Sequence, residues 1–182
     1  MKTTEFQERI DKVTETYKNT FSQLSFEQLN WKQSQSEWSI AQNIQHVVKV
    51  NNSYFPIFKK IKSGRFSTPL IGVFTFLARS TGNSMLKSVM PKTARKTKTL
   101  KRWLPTEEKI DAHILYEFIQ HQDKLKENIE GLDKWIDRKL IIHSPLSQNV
   151  VLYLDTAIEI LISHELRHYH QAERIKNAML LS

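Results

Sequence analysis

The chain contains no cysteine, and this absence removes several classes of chemistry at once. Disulfide bridges, zinc–thiolate sites, iron–sulfur clusters and cysteine nucleophiles are all excluded. Any metal that the protein binds must therefore be held by histidine and carboxylate side chains. Glycine and proline are also scarce, at 4 and 5 of 182 residues, and so few turn-forming residues favour long helices over an all-β chain.

Long apolar runs are missing as well. The longest candidate, "PLIGVFTFLA" at 69–78, is about half of the ~20 residues that a membrane span requires. The N-terminal stretch "MKTTEFQERIDKV" is polar and helical in character, unlike a signal peptide. We therefore expect a cytoplasmic protein with no membrane partner. The length predicts a single domain over 1–182.

A long segment of the chain carries basic residues but no acidic ones. Between Ser63 and Thr106 there is no Asp or Glu, but nine basic residues, whereas 18 basic and 19 acidic residues elsewhere nearly cancel. The net charge of +8 therefore belongs to a basic insertion over 63–105, in which one short helix is expected near 70–80. A solvated arm is the simpler interpretation, and a patch for phosphate, anionic lipid or nucleic acid is the alternative. Without interleaved aromatic residues or a recognisable motif, the pattern disfavours a nucleic-acid partner.

Four amphipathic segments flank this insertion. Apolar residues at three- and four-residue spacing predict helix 1 over roughly 4–23 and helix 2 from Ser39, where Gln42 completes a capping box. Helix 3 is expected to begin after Pro105, with Thr106 as N-cap, and to end near Gly131. Helix 4 is expected over about 149–179. The pattern predicts an all-α four-helix bundle, with the long basic connection between helices 2 and 3.

The stretch "HELRHYHQ" at 164–171 lies within helix 4 and continues its apolar stripe. Leu161 is followed three residues later by His164, then at four-residue intervals by His168 and Ala172. Both histidines therefore face the core one turn apart, the spacing at which two imidazoles converge on one ion. His170 lies about 200° from His168 around the helix and should not join them.

A third donor must come from elsewhere, and periodicity leaves two main candidates. His46 lies at the flank of the helix 2 stripe, and His121 fits the helix 3 stripe. His143 is expected in a loop and His113 at the surface. Glu165 points about 100° away from His164, which favours a supporting or surface role.

Two parts of the chain resemble the DinB-like (damage-inducible, YfiT-type) superfamily. These are "NWKQSQSEWSIAQNIQHV" at 30–47 and "IIHSPLSQNVVLYLDTAIEILISHELRHYHQAERIK" at 141–176. The shared features are a Trp-Ser-Ile start to helix 2 (Trp38, Ser39, Ile40), a histidine soon after it, and an HxxxH pair with a following glutamine in helix 4. The basic insertion matches only loosely.

The resemblance implies an up-down-down-up four-helix bundle, compatible with a homodimer. It also implies a divalent metal, typically zinc or nickel, held by His46, His164 and His168. Members of known activity transfer a low-molecular-weight thiol, such as bacillithiol or mycothiol, or hydrolyse a small substrate. The expected function is thus a metal-dependent enzyme with a small-molecule substrate. The alternative is a non-catalytic metal-binding or stress-response bundle.

Overall fold

The computed structural model describes residues 2–90 and 99–181. Residues 91–98 of the predicted basic insertion, which include Lys92, Arg95, Lys96 and Lys98, lie outside these ranges. Within the described residues the chain is mostly helical. Four long helices, α1 (Thr3–Phe21), α3 (Ile40–Lys62), α5 (Ile114–Ile129) and α7 (Leu154–Leu180), correspond to the four predicted ones.

Three shorter helices complete the helical part: α2 (Phe26–Asn30), α4 (Thr75–Val89) and α6 (Asp133–Asp137). The Ser39 N-cap predicted from the sequence is confirmed, with a complete capping box to Gln42, and Ser25 caps α2 in the same way with Gln28. The hydroxyl accepts a backbone N–H of the first turn, which fixes where the helix begins. Among the helices in the described ranges, none has the length and hydropathy of a membrane-spanning segment.

The expectation of an all-α chain is wrong in one place. Strands β1 (Ile141–Ser144) and β2 (Ser147–Tyr153) form an antiparallel hairpin ahead of α7. The predicted start of helix 4 near 149 is therefore about five residues too early. The β-branched and aromatic residues of "NVVLY" favour a strand, and Ile142 pairs with Leu152 so that both side chains enter the core.

The predicted start of helix 3 is also wrong. The hydroxyl of Thr106 accepts a hydrogen bond from the Glu108 N–H in a local turn, but α5 begins only at Ile114. The residues between them are tied to other elements: Asn30 accepts from the Ile110 N–H and donates to its carbonyl. These side-chain contacts replace the helical hydrogen bonds of the first expected turns.

The long helices pack so that α1 and α3 each contact both α5 and α7. Their apolar faces form the core, which includes Phe6, Tyr17, Ile44, Phe58 and Phe118. The insertion adds a 3-10 helix (Leu70–Val73) and α4, a longer helix than the one expected near 70–80. Helix α4 packs on β2 and α7 through Gly82, where an added Cβ would lie only 2.9 Å from Thr156.

Candidate metal centre

Three histidines converge where α3 meets α7. His164 and His168 lie one turn apart on α7, and His46 faces them from α3. The Nε2 atom of His164 lies 3.2 Å from Nε2 of His46 and 3.1 Å from Nε2 of His168. The structure therefore places His46, and not His121, beside the pair on α7.

The outer nitrogens of two of these rings are fixed by oxygen acceptors. His46 Nδ1 donates to the carbonyl of Trp103 at 2.7 Å, and His168 Nδ1 donates to Oδ1 of Asn43 at 2.8 Å. The Asn43 amide orientation is itself set, because its Nδ2 donates to the carbonyl of Ser39. A neutral imidazole carries one proton, so both rings present an unprotonated Nε2 to the centre of the cluster.

This arrangement fits a cation better than it fits hydrogen bonding. His164 can direct at most one N–H at its two neighbours, so at least one contact brings two nitrogen lone pairs together. Its Nδ1 atom is buried and has no hydrogen-bond partner within the described part of the chain. Zinc bonds of about 2.0–2.1 Å at tetrahedral angles would separate the nitrogens by roughly 3.3 Å, close to the spacing here. The three residues thus suit a divalent metal.

The electrostatics keep all three imidazoles neutral. Burial lowers the pKa of His46, and the nearby Lys49 ammonium lowers it further. Burial also lowers the pKa of His164 to about 3 and that of His168 well below its usual value, with a further contribution from Arg167 in both cases. Neutral imidazole is the form that binds metals. The cluster is therefore ready for a metal at neutral pH without first losing protons.

Trp38 and Arg167 border the cluster on different sides. The Trp38 ring lies 4.9 Å from the His46 ring and stacks on His168 at 5.9 Å between ring centres. Arg167 donates to the carbonyl of Met90 at the end of α4. His46 and His168 expose only 3% and 6% of their surface, and His164 is more exposed than either. The cluster therefore lies at the edge of the core.

Glu165 is fully buried, so the surface role considered for it is wrong and the supporting role remains. Its two carboxyl oxygens accept from Nδ2 of Asn51 at 2.6 Å and from Nε2 of Gln122 at 3.0 Å. Its backbone carbonyl accepts from the Tyr17 hydroxyl at 2.8 Å. Burial raises the pKa of Glu165 to about 7, against the lowering effect of the two amide donors. Glu165 thus joins α1, α3, α5 and α7 directly behind the histidine cluster.

His121 is not part of this cluster. Its ring stacks on Phe55 at 5.2 Å, between α3 and α5, and only 5% of the residue is exposed. Its Nε2 atom is buried without a hydrogen-bond partner in residues 2–90 and 99–181. Burial lowers the pKa of His121 to about 4, and Lys124 adds to the shift. His121 fits the apolar stripe of predicted helix 3 because it is buried, and not because it belongs to the histidine cluster.

Replacing His121 with phenylalanine should remove a pH-dependent loss of stability. The pKa of His121 is about 4 in the folded chain and about 6.5 when exposed, so between these values only the unfolded chain takes up the proton. The wild type should therefore lose up to about 3 kcal/mol of unfolding free energy from this residue as the pH falls from about 6.5 to 4. Urea unfolding at pH 7, 6 and 5 measures the slope, which His121→Phe should reduce. The exposed His113→Phe is the matched control, and an equal reduction there would contradict the assignment.

The other three histidines lie apart from the cluster. His170 is exposed and pairs with Glu173, as its helical position predicts. His113 is exposed beside Asp111, again as expected. His143 lies in β1 and not in a loop, where its ring stacks on Phe66.

Sequence reasoning did not identify the groups that orient the ligands. Asn43 precedes His46 by three residues and so lies on the same helical face, and a polar residue on that buried stripe was a usable signal. Trp103 acts through its backbone carbonyl, which carries no residue-type signal. It reaches His46 because the 3-10 helix Lys101–Trp103 packs against α3.

Comparison with known proteins gives a family match for the chain. No curated protein and no solved structure matches the chain. A family model described as the DinB superfamily matches residues 9–172, which include all three clustered histidines, the whole of α3 and the part of α7 that carries His164 and His168. The chain therefore belongs to the DinB superfamily.

Proposed function

We propose that this protein is a divalent-metal-dependent enzyme whose metal is held by His46, His164 and His168. The observation that supports it most directly is the convergence of three buried, neutral imidazoles through their Nε2 atoms, at 3.1 and 3.2 Å. Hydrogen bonding alone cannot satisfy that geometry. Three nitrogen ligands leave coordination positions open, as in catalytic sites and unlike closed structural ones.

The reaction we propose is transfer of a low-molecular-weight thiol, or hydrolysis, on a small substrate. Zinc and nickel are the metals proposed, since imidazole suits both. A divalent metal in this site would supply Lewis-acid chemistry that lowers the pKa of a bound thiol or water. Because the chain has no cysteine, a thiol nucleophile must come from a free thiol such as bacillithiol or mycothiol.

The chain's own residues would position the metal and limit access to it. Trp103 and Asn43 hold the rings of His46 and His168 in the required tautomer. Trp38 covers one side of these two rings, so substrate would approach the metal from a different side. Arg167 lies close enough to affect the pKa of His164 and could neutralise a thiolate there.

We also propose that 1–182 is one domain whose four long helices run up-down-down-up. The direction of contacts supports this topology. By the order of their contacts, α1 and α7 run parallel to each other, as do α3 and α5. In contrast, α1 runs antiparallel to α5, and α3 runs antiparallel to α7. The contacts are Arg9–Glu159, Tyr17–Glu165, Thr20–Tyr169, Phe55–His121, Lys62–Glu127, Gln7–Lys126, Tyr17–Phe118, His46–His164 and Asn43–His168.

An activity assay on metal-loaded protein tests the proposed reaction. Zinc- or nickel-loaded protein should accelerate attack of bacillithiol or cysteine on 1-chloro-2,4-dinitrobenzene, or hydrolysis of a p-nitrophenyl ester. In the first reaction a sulfur–carbon bond forms, chloride leaves and the thiol proton passes to solvent. We expect His168→Ala to lower the rate at least about 100-fold, since a ligand matters more than an outer hydrogen-bond partner.

His170→Ala is the matched control, because His170 is exposed on the same helix two residues further on. It should retain the wild-type rate. Fully metal-loaded protein that accelerates neither reaction above the metal-free level would count against an enzyme and in favour of a non-catalytic metal-binding bundle.

A further inference from the structure

A basic cleft of about 570 Å³ lies on the outer face of α3, apart from the three histidines. Its lining includes Lys49, Lys60, Arg102 and His143, together with Trp103. We propose that this cleft binds a small molecule through an anionic group, either a carboxylate or a phosphate. The volume lies in the range of small-molecule sites, which are concave and carry few charged groups.

Three parts of the chain build the cleft. Lys49, Ser53 and Lys60 lie four and seven residues apart on α3, so the helical period places them on one face. Arg102 and Trp103 come from the 3-10 helix at the end of the basic insertion, and His143 comes from β1. The cationic groups are therefore brought together by the fold and are not neighbours in the sequence.

The charge of the cleft has one sign. Three cationic side chains line it and none of its lining residues is acidic. Like charges gathered in a concave surface repel one another and attract an anion, which relieves that repulsion. The cleft also contains the hydroxyl of Ser53 and the amide of Asn52. The Asn52 amide can donate to an anion, whereas the Ser53 hydroxyl donates to the carbonyl of Val50.

Two of the cations are already oriented but keep free donors. Lys49 Nζ donates to the carbonyl of Leu104 at 2.8 Å, and Arg102 donates to the carbonyl of Pro145 at 3.0 Å. An ammonium group has three N–H donors and a guanidinium five, so each of these contacts uses only a part of the available donors. Holding the charged ends in place lowers the entropy lost when a ligand binds.

Trp103 connects the cleft to the histidine cluster while keeping the two sites distinct. Trp103 lines the cleft, and its backbone carbonyl accepts a hydrogen bond from Nδ1 of His46. None of the three clustered histidines lines the cleft. The proposed anion site therefore adjoins the candidate metal centre but does not depend on a metal being bound there.

Titration calorimetry of the full chain with inorganic phosphate and, separately, with succinate tests this proposal at low ionic strength. We expect saturable binding at one site per chain for at least one anion. The anion with the lower Kd shows whether the cleft prefers a phosphate or a carboxylate group. Lys60→Glu should raise the Kd at least about tenfold, because it reverses one of three charges. Lys59→Glu makes the same change at the neighbouring residue, which lies outside the cleft, and should raise the Kd less than about twofold.

Two results would overturn the anion site: no saturable heat with either anion, or equal weakening by Lys59→Glu and Lys60→Glu. Both lysines are exposed, so both variants should fold, and circular dichroism verifies this. Lys60→Gln provides a second, milder variant with an intermediate Kd. Metal content measured before and after titration shows whether an anion has instead removed a metal, so that failure here and failure of the metal site are distinguishable.

Discussion

Replacing His164 with alanine is expected to abolish stoichiometric metal binding. Wild-type protein incubated with Zn²⁺ or Ni²⁺ and then dialysed should retain about one ion per chain, measured by elemental mass spectrometry. His164 is the ring whose Nε2 lies within 3.2 Å of both others. Its loss leaves two imidazoles, and the affinity should fall at least about 100-fold.

A graded series makes this prediction specific. Asn43→Ala keeps all three histidines but removes the acceptor of His168 Nδ1, so its affinity should fall only about 10- to 100-fold. His170→Ala, on the same helix, should bind like the wild type. Equal metal content in His164→Ala and His170→Ala would show that the cluster is not the metal site.

Metal binding should also stabilise the fold, because the ligands come from two helices far apart in the sequence. A ligand that binds only the folded state stabilises it by about 4 kcal/mol at a thousand times its Kd. The wild-type Tm should therefore rise with added metal, and the Tm of His164→Ala should not. Differential scanning fluorimetry with and without metal measures the difference.

Replacing Glu165 with alanine is expected to destabilise the protein by about 3–5 kcal/mol, the usual cost of leaving a buried polar network without one member. The carboxyl is fully buried and accepts from both Asn51 and Gln122. Truncation would leave both amides without their acceptor and open a cavity among the four long helices. Urea unfolding at pH 7 measures the loss.

Glu165→Gln should lower the free energy of unfolding far less, because the neighbouring amides of Asn51 and Gln122 can hydrogen-bond to the new side chain. Oδ1 of Asn51 and Oε1 of Gln122 are buried without partners within residues 2–90 and 99–181. If either amide rotates, the side-chain amide introduced by the substitution can donate to its oxygen, so the network stays satisfied. Glu117→Ala, at an exposed site on α5, should change the unfolding free energy by less than about 0.5 kcal/mol. A loss in Glu165→Gln as large as in Glu165→Ala would contradict this account.

The sequence predicted the helical part of the fold well, because the relevant signals are local. Apolar spacing identified the four long helices, and Ser39 with Gln42 marked the start of α3 through a capping box. The helix prediction failed at 106–113 and 149–153. In the first segment, contacts to Asn30 replace helical hydrogen bonds, and in the second, pairing with β1 does so. Both depend on residues distant in the chain.

Two of the three histidines of the candidate site followed from the helical period of the sequence. That period placed His164 and His168 on one buried face, since a helix of 3.6 residues per turn allows little else. It could not choose between His46 and His121, because burial gives both the same periodic signal. Resemblance to a family favoured His46, and the packing of α3 on α7 puts that ring, and not the one stacked on Phe55, beside the pair.

By itself, then, the sequence determined which long helices form, which two histidines of "HELRHYHQ" face inward, and that no cysteine thiolate can bind a metal. Only the tertiary structure decided the third member of the cluster, the burial of Glu165, and the union of Lys49, Lys60 and Arg102 in one cleft. The physical reason is that helix formation is set by neighbours within a few residues. A site assembled from several elements is set by how their faces pack, which no local pattern records.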